Sequence, residues 1–216
     1  MESQLLQKLA EKKITREALY RMVEADFGLL PEVFGGVSSQ KASVRYGCAS
    51  VLVDLSAKYP EILYPHMDEF IALLDTKHRI LTWNAMATIA NLCSVDKDKK
   101  FDAIFDKYFG FLNNEYLVTV ANVVGNSGKI ACAKPYLIPK ISGELCKVEN
   151  ISTTPHLTEE CKRVIAEKTV EAFNQFYNKM SPEDKAKALS FVKRQTGSSR
   201  KTLREKSELF LKQWGN

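Results

Sequence analysis

One helical stripe, first visible in "VRYGCASVLVDL" (residues 44–55), recurs along this chain. An apolar residue is followed by a small residue four places on and by apolar residues eight and eleven places on, a spacing that puts all four on one face of a helix. The five copies contain Val44, Cys48, Leu52 and Leu55; Leu81, Ala85, Ile89 and Leu92; Leu117, Ala121, Gly125 and Gly128; Ile165, Thr169, Phe173 and Phe176; and Leu203, Ser207, Leu211 and Trp214. Their starts lie 37, 36, 48 and 38 residues apart.

This period predicts stacked pairs of antiparallel helices. Two helices and two turns take about 35 to 47 residues, and one such pair cannot bury its apolar face alone. The polar segment "ISTTPHLTEE" (151–160) contains a proline and accounts for the longest gap as an insertion between repeats. We therefore expect each copy to be the second helix of a pair that packs on the next pair.

The stretches between the copies predict the first helix of each pair. Apolar residues fall on one face of "PHMDEFIALLD", "KFDAIFDKYFGFLN" and "PEDKAKALSFVKRQ". Ser181 before Pro182 is a helix-start signal, and Thr202 with Glu205 has the spacing of a capping box. No run alternates with the period of two that a strand needs, so the sequence predicts an entirely α-helical chain.

Composition narrows the class of protein further. The net charge is +5, and the basic excess lies at the end of the chain, where ten basic residues face four acidic ones from Lys179 onward. Five cysteines without a CxxC pair, together with three scattered histidines, predict reduced thiols, no metal site and no cofactor. No apolar stretch reaches the length of a membrane helix and no secretory signal is evident, so we expect a cytoplasmic protein.

The copies resemble HEAT and HEAT-like repeats, of the wider armadillo type, whose second helix begins with an apolar residue and an arginine. Val44 with Arg45 and Leu203 with Arg204 fit that order, and residues 65–92 add the proline and the turn aspartate, Asp75. The resemblance implies an all-α, right-handed α-α superhelix (solenoid) of about five HEAT-like helical pairs. It further implies one domain over residues 1–216, with 1–30 as an N-terminal cap and 181–216 as a basic C-terminal repeat.

The phrase "TIANLCS" also resembles the armadillo repeats of nuclear import receptors. In those repeats an asparagine pairs with a tryptophan four residues earlier. Here Asn91 has Ala87 at that place, so we do not expect a ladder that binds nuclear signals.

The first candidate site lies on the side of the second helices that faces away from the stripe. Residue 46 lies about 200 degrees round the helix from residue 44, and the second copy places Trp83 where the first has Tyr46. Exposed aromatic rings with polar neighbours are typical of a groove that binds a peptide or stacks on nucleic-acid bases. The predicted concave, partner-binding residues are Arg45, Tyr46, Trp83, Asn84 and Asn122. An alternative stays open, in which the two rings pack between neighbouring repeats.

We therefore expect a non-catalytic scaffold module with a protein partner. The alternative is nucleic-acid binding, in which Lys193, Arg194, Arg200, Lys201 and Arg204 contact phosphates. One class of DNA glycosylases acting on alkylated purines is built on HEAT-like repeats, so the resemblance leaves that enzyme open within the alternative. No catalytic motif is recognised: "GNSGK" (125–129) lacks the spacing of a phosphate loop and predicts that two helices touch there.

Overall fold

The computed structural model describes residues 3–215. Contacts divide the chain into two compact units whose boundary falls between Lys100 and Phe101. The described residues contain no strand, only an isolated bridge between Thr154 and Leu157. None of their helices combines the length and the apolar character needed to cross a membrane. The prediction of an all-α chain is confirmed for this part of the sequence.

The first unit contains two short helices followed by two helical pairs. Its helices are α1 (Gln4–Ala10), α2 (Arg16–Ala25), α3 (Leu30–Val37), α4 (Ala42–Lys58), α5 (Pro60–Leu63), α6 (Met67–Ala72) and α7 (Arg79–Leu92). The second helices α4 and α7 pack against each other, and α2 packs on α4. Helix α3 is the first helix of one pair, while α5 and α6 share that role in the next.

The second unit contains three further pairs. Its helices are α8 (Lys100–Ala103), which starts at the boundary, α9 (Phe105–Gly110), α10 (Leu117–Ala133), α11 (Ile138–Cys146), α12 (Glu159–Phe176), α13 (Pro182–Gln195) and α14 (Lys201–Trp214). Here α10 packs along α12, and α12 packs on α14. The two units together hold the five helical pairs that the repeat period predicts. Whether they form one domain, with residues 1–30 as a cap, stays a prediction.

Prolines mark where the first helices of the pairs begin. Pro31, Pro60, Pro139 and Pro182 each occupy the first or second helical position. A proline is tolerated there because the amide it lacks would have no partner within the helix. As predicted, the Ser181 hydroxyl caps α13 by accepting a hydrogen bond from the Asp184 amide. The predicted capping box is wrong, because α14 already begins at Lys201 and Thr202 lies inside it.

The repeated stripe forms the core of each unit. All four predicted residues are buried in the copies on α4, α7 and α12. Buried hydroxyls on this stripe are satisfied locally: Thr169 Oγ1 donates to the Ile165 carbonyl at 2.9 Å, and Ser207 Oγ donates to the Leu203 carbonyl at 2.7 Å. Such back-bonding to the preceding turn lets a polar side chain enter the core without an unmade hydrogen bond.

The predicted stripe of the third copy is wrong in register. Leu117 and Ala121 are only half-buried and Gly125 is exposed. The buried residues with the same spacing are Val120, Val124, Gly128 and Ala131. Valines at 118, 120, 123 and 124 make two faces of α10 apolar, so the sequence pattern alone fits both registers. With Val120 as its start, the copies lie 37, 39, 45 and 38 residues apart, and the period is more even than predicted.

The last copy is buried at only half of its predicted stripe. Leu203 and Ser207 are buried, but Leu211 and Trp214 are half-exposed, and Phe210 enters the core instead. Trp214 packs beside the Tyr177 ring at 5.0 Å, and its indole nitrogen donates to Asn174 Oδ1 at 2.7 Å. The indole is thus held on the side of α12 rather than in the core.

Glycine permits a close helix contact at Gly128 but not at Gly125. A Cβ atom on Gly128 would stand 2.3 Å from Gln175 Oε1 and 3.1 Å from Gln175 Cβ, whereas a Cβ atom on Gly125 would have nothing within 4 Å. The predicted contact at "GNSGK" therefore rests on Gly128 alone, where α10 meets α12. Gly125 faces open space.

We expect Gly125→Ala to raise the free energy of unfolding by about 1 kcal/mol, because alanine in a helix interior loses less backbone entropy than glycine. Gly128→Ala should give no such gain, or a loss, because its methyl group would displace Gln175. Urea unfolding of the two variants measures the difference. Equal gains would mean that α10 does not approach α12 at Gly128.

Candidate partner-binding surfaces

The predicted aromatic residues of the first unit lie at equivalent places on α4 and α7. Tyr46 and Trp83 each stand two residues after the start of their copy, and both are half-buried. Asn84 follows Trp83 and is also half-buried. In the corrected register the equivalent residue of α10, in the second unit, is Asn122, again half-buried. In all three helices the residue at this position lies outside the core, and its side chain is partly exposed to solvent.

Arg45 is held by its own repeat. Its guanidinium donates to the carbonyls of Ser39 at 2.7 Å and Gln40 at 3.4 Å, and lies 4.8 Å from the centre of the Tyr46 ring. Burial, with the nearby Arg45 charge, lowers the pKa of His78 at the start of α7. Arg45 therefore joins the turn before α4 to the Tyr46 ring, and its role as a direct binding residue stays a prediction.

The same arginine contact recurs in the last copy. Arg204 donates to the carbonyls of Ser198 at 2.7 Å and Ser199 at 3.2 Å, which are six and five residues earlier, as in Arg45. In both places a charged donor binds carbonyls of the turn that joins the two helices of a pair. The arginine at this position thus fixes the turn within a helical pair.

The predicted basic cluster is largely neutralised by glutamates. Arg200 pairs with Glu167 Oε2 and with Glu160 Oε1, both at 2.6 Å. Thr202 donates to Glu167 at 2.7 Å, and Lys206 pairs with Glu167 and Glu171. Burial alone would raise the pKa of Glu167, but hydrogen bonds from Arg200, Lys206 and Thr202 lower it to about 2. This network holds α14 against α12.

The other predicted basic residues, apart from Arg204, have at most one acidic partner each. Arg194 makes two hydrogen bonds to Glu149, at 3.0 and 2.6 Å. Lys201 faces Glu205 at 3.6 Å across one exposed turn, and Lys193 is exposed. These pairings could not be predicted from a local pattern, because Glu149, Glu160 and Glu167 precede their arginines by 33 to 45 residues.

A groove that the sequence analysis did not anticipate runs between α10 and α12 in the second unit. It has a volume of about 430 Å³. Its lining residues are Leu117, Val118, Ala121, Asn122, Gly125, Asn126, Val164 and Lys168. Of the predicted site residues, only Asn122 lies in it. The sequence did not predict this groove because two faces of α10 are apolar. The face that was assigned to the core lines the groove instead.

Lysine–carboxylate bridges form a second recurrent feature. Lys58 pairs with Glu24 at 2.6 Å, Lys100 with Asp68 at 2.5 Å, and Lys134 with Asp102 at 3.0 Å. Each lysine lies at or after the end of a second helix, and its acidic partner lies 32 to 34 residues earlier. Hydrogen bonds from Lys58, Tyr20 and Tyr59 lower the pKa of Glu24 to about 2. These bridges tie the residues at and after the end of a second helix to an earlier helix, namely α2 for Lys58, α6 for Lys100 and α8 for Lys134.

The lowered pKa of Glu167 predicts a pH-dependent contribution to stability. Its ordinary value is 4.5, so the ionised form stabilises the fold above that pH, and the contribution is lost as the pH falls toward 2. We expect Glu167→Gln to reduce the free energy of unfolding by about 2 kcal/mol at pH 7 and by much less near pH 2.5. Glu205→Gln, at an exposed pair, is the matched control and should cost about 0.5 kcal/mol or less. A loss at Glu167 that does not change with pH would contradict this role.

Comparison with known proteins supports the fold. No protein-family profile matches the sequence, and no curated protein matches it. Among solved structures, the chain is similar to a designed armadillo repeat protein, with 16% identity and a TM-score of 0.60 over 96% of this chain and 90% of that one. It is also similar to an engineered protein, with 13% identity and a TM-score of 0.54 over 98% and 87% of the two chains. The membership in HEAT repeats in particular stays a prediction, but the chain has the all-α fold of an armadillo-type helical-repeat solenoid.

Proposed function

We propose that this protein is a non-catalytic interaction module, a scaffold that binds a segment of a partner protein on the outward sides of its second helices. The observation that carries the proposal is the shared position of Tyr46 and Trp83 on two packed helices. Both rings are half-exposed at a place where the repeat needs no aromatic side chain for its core. Aromatic side chains provide contact area at a low cost in conformational entropy and are enriched among residues that dominate binding energy.

The surroundings of these rings support a preorganised surface. Arg45 is fixed by two backbone carbonyls and lies over the Tyr46 ring, so that ring has a charged neighbour of constrained position. The underlying stripes of α4 and α7 are buried. A rigid surface loses less freedom on binding, which leaves more of the contact energy as affinity.

The nucleic-acid alternative has weaker support. Four of its five predicted residues already have partners within the chain: Arg194 and Arg200 pair with glutamates, Arg204 donates to two carbonyls, and Lys201 lies 3.6 Å from Glu205. An arginine that contacts phosphate would have to give up these bonds. Among residues 3–215 no group of three or more histidine, cysteine, aspartate or glutamate side chains is arranged to hold a metal ion.

The binding proposal is tested by selecting peptides from a random display library on the immobilised protein. We expect selected peptides to bind with micromolar affinity, and Trp83→Ala or Tyr46→Ala to weaken that binding at least tenfold. The matched control is Ile62→Ala, which alters an exposed apolar residue, 40% exposed, on a first helix. Thermal melting checks that each variant is folded. Failure to select any peptide, or equal loss with Ile62→Ala, would contradict the proposal.

The same proposal predicts little affinity for DNA. We expect negligible retention of duplex DNA even at about 50 mM salt, where phosphate contacts are strongest. Glu149→Gln together with Glu160→Gln should increase retention, because it removes partners of Arg194 and Arg200. Gel-shift titrations over a range of salt measure both. Steeply salt-dependent binding by the unaltered protein, reduced by Arg194→Ala, would favour the nucleic-acid alternative.

A further inference from the structure

The groove between α10 and α12 has a floor of small residues and two apolar walls. Ala121 and Gly125 lie on the floor, and a Cβ atom on Gly125 would meet nothing within 4 Å. Val118, 45% exposed, and Val164 line the sides. An exposed valine beside open space at a glycine leaves room for another backbone to come close. The groove therefore fits a narrow main chain with one small apolar side chain.

Two asparagines place hydrogen-bond acceptors along this groove. Asn122 Nδ2 donates to the Val118 carbonyl at 2.8 Å, and Asn126 Nδ2 donates to the Asn122 carbonyl at 2.9 Å. One of the two hydrogens on each amide nitrogen is used within α10, and the side-chain oxygens are the acceptors that the two residues offer to a ligand. The two residues are one helical turn apart, a rise of about 6 Å. Alternate amides of an extended chain are spaced by about 6.7 Å, which is close to that rise.

The charge of the groove favours an acidic ligand. Lys168 is its one charged lining residue and has no ion-pair partner among residues 3–215. The neighbouring acids on α12 are already paired: Glu160 with Arg163 and Arg200, Glu167 with Arg200 and Lys206, and Glu171 with Lys206. An entering carboxylate would thus meet one positive charge without an ion-pair partner on a half-buried side chain, where the attraction is stronger than between two fully exposed charges.

We propose that the α10–α12 groove binds an acidic segment of a partner protein in an extended conformation. Alternate main-chain amides of the segment donate to Asn122 Oδ1 and Asn126 Oδ1, a carboxylate pairs with Lys168, and a small apolar side chain lies between Val118 and Val164. This inference rests on the proposed function as an interaction module and names the partner chemistry for one part of its surface. A helix would serve less well, because its own amides are used internally and could not reach the asparagines.

The probes are two fluorescein-labelled hexapeptides, one alternating glutamate with valine and one alternating lysine with valine. We expect the acidic probe to bind the full chain, with a dissociation constant below about 1 mM by fluorescence anisotropy. Lys168→Glu should weaken the acidic probe at least tenfold and strengthen the basic one. Gly125→Leu should fill the floor and block both probes, and its Cβ atom would meet nothing within 4 Å. The side-chain amide signals of Asn122 and Asn126 should shift on binding in NMR spectra.

Two comparisons keep the outcome decisive. Ile62→Ala, at an exposed residue of the first unit, serves as the matched control, since it should leave binding of the acidic probe unchanged. The groove proposal is overturned if the acidic probe does not bind, or if it binds Lys168→Glu and Gly125→Leu as well as the unaltered protein. If peptides selected from the library still bind and lose affinity with Trp83→Ala, the module function survives that failure. If no peptide of any kind binds, the module function fails as well.

Discussion

The structure depends on each second helix burying one face against both its own first helix and the neighbouring pair within its unit. The four stripe residues of α4, α7 and α12 are buried, and the cost of burying hydroxyls among them is offset by bonds to the preceding turn. No single pair has enough apolar surface to be stable alone, so stacking is a condition for folding rather than a later assembly step. Gly36 and Gly128 bring helices closer where a side chain would collide, with Cys48 in one case and Gln175 in the other.

Polar contacts determine how the stacked helices are held. Arg45 and Arg204 bind the turns within their pairs, whereas Lys58, Lys100 and Lys134 bind acids on helices that lie earlier in the chain. These are different uses of basic residues, and neither requires a ligand. Because Arg194, Arg200 and Arg204 already have partners within the chain, the basic C-terminal segment has few arginines available to phosphate. The surfaces that we propose for a partner carry aromatic, amide and small side chains.

Much of the fold could be predicted from the sequence because helical periodicity is local. The copies on α4, α7 and α12 were predicted correctly, and so was the cap at Ser181. The predicted register of the third copy was wrong because valines lie on two faces of α10. The sequence pattern fits both registers, and only the neighbouring helix decides between them. The predicted burial of Leu211 and Trp214 was wrong because the pattern does not say how much of α14 a neighbouring helix covers. The ion pairs of Arg194 and Arg200 and the α10–α12 groove depend on residues distant in sequence, which no local pattern reports.

The bridge between Lys134 and Asp102 has a consequence for how this chain can change over generations. The lysine side chain is only 4% exposed, and its ammonium is bonded to both Asp102 and the Tyr136 hydroxyl. Replacing Asp102 alone removes the carboxylate from a buried ammonium, a loss larger than that of the whole pair, whereas the Asp102 side chain is 26% exposed and keeps its bond from Tyr136. This bridge is therefore lost at least cost when residues 102 and 134 are substituted together, so we expect the two positions to covary.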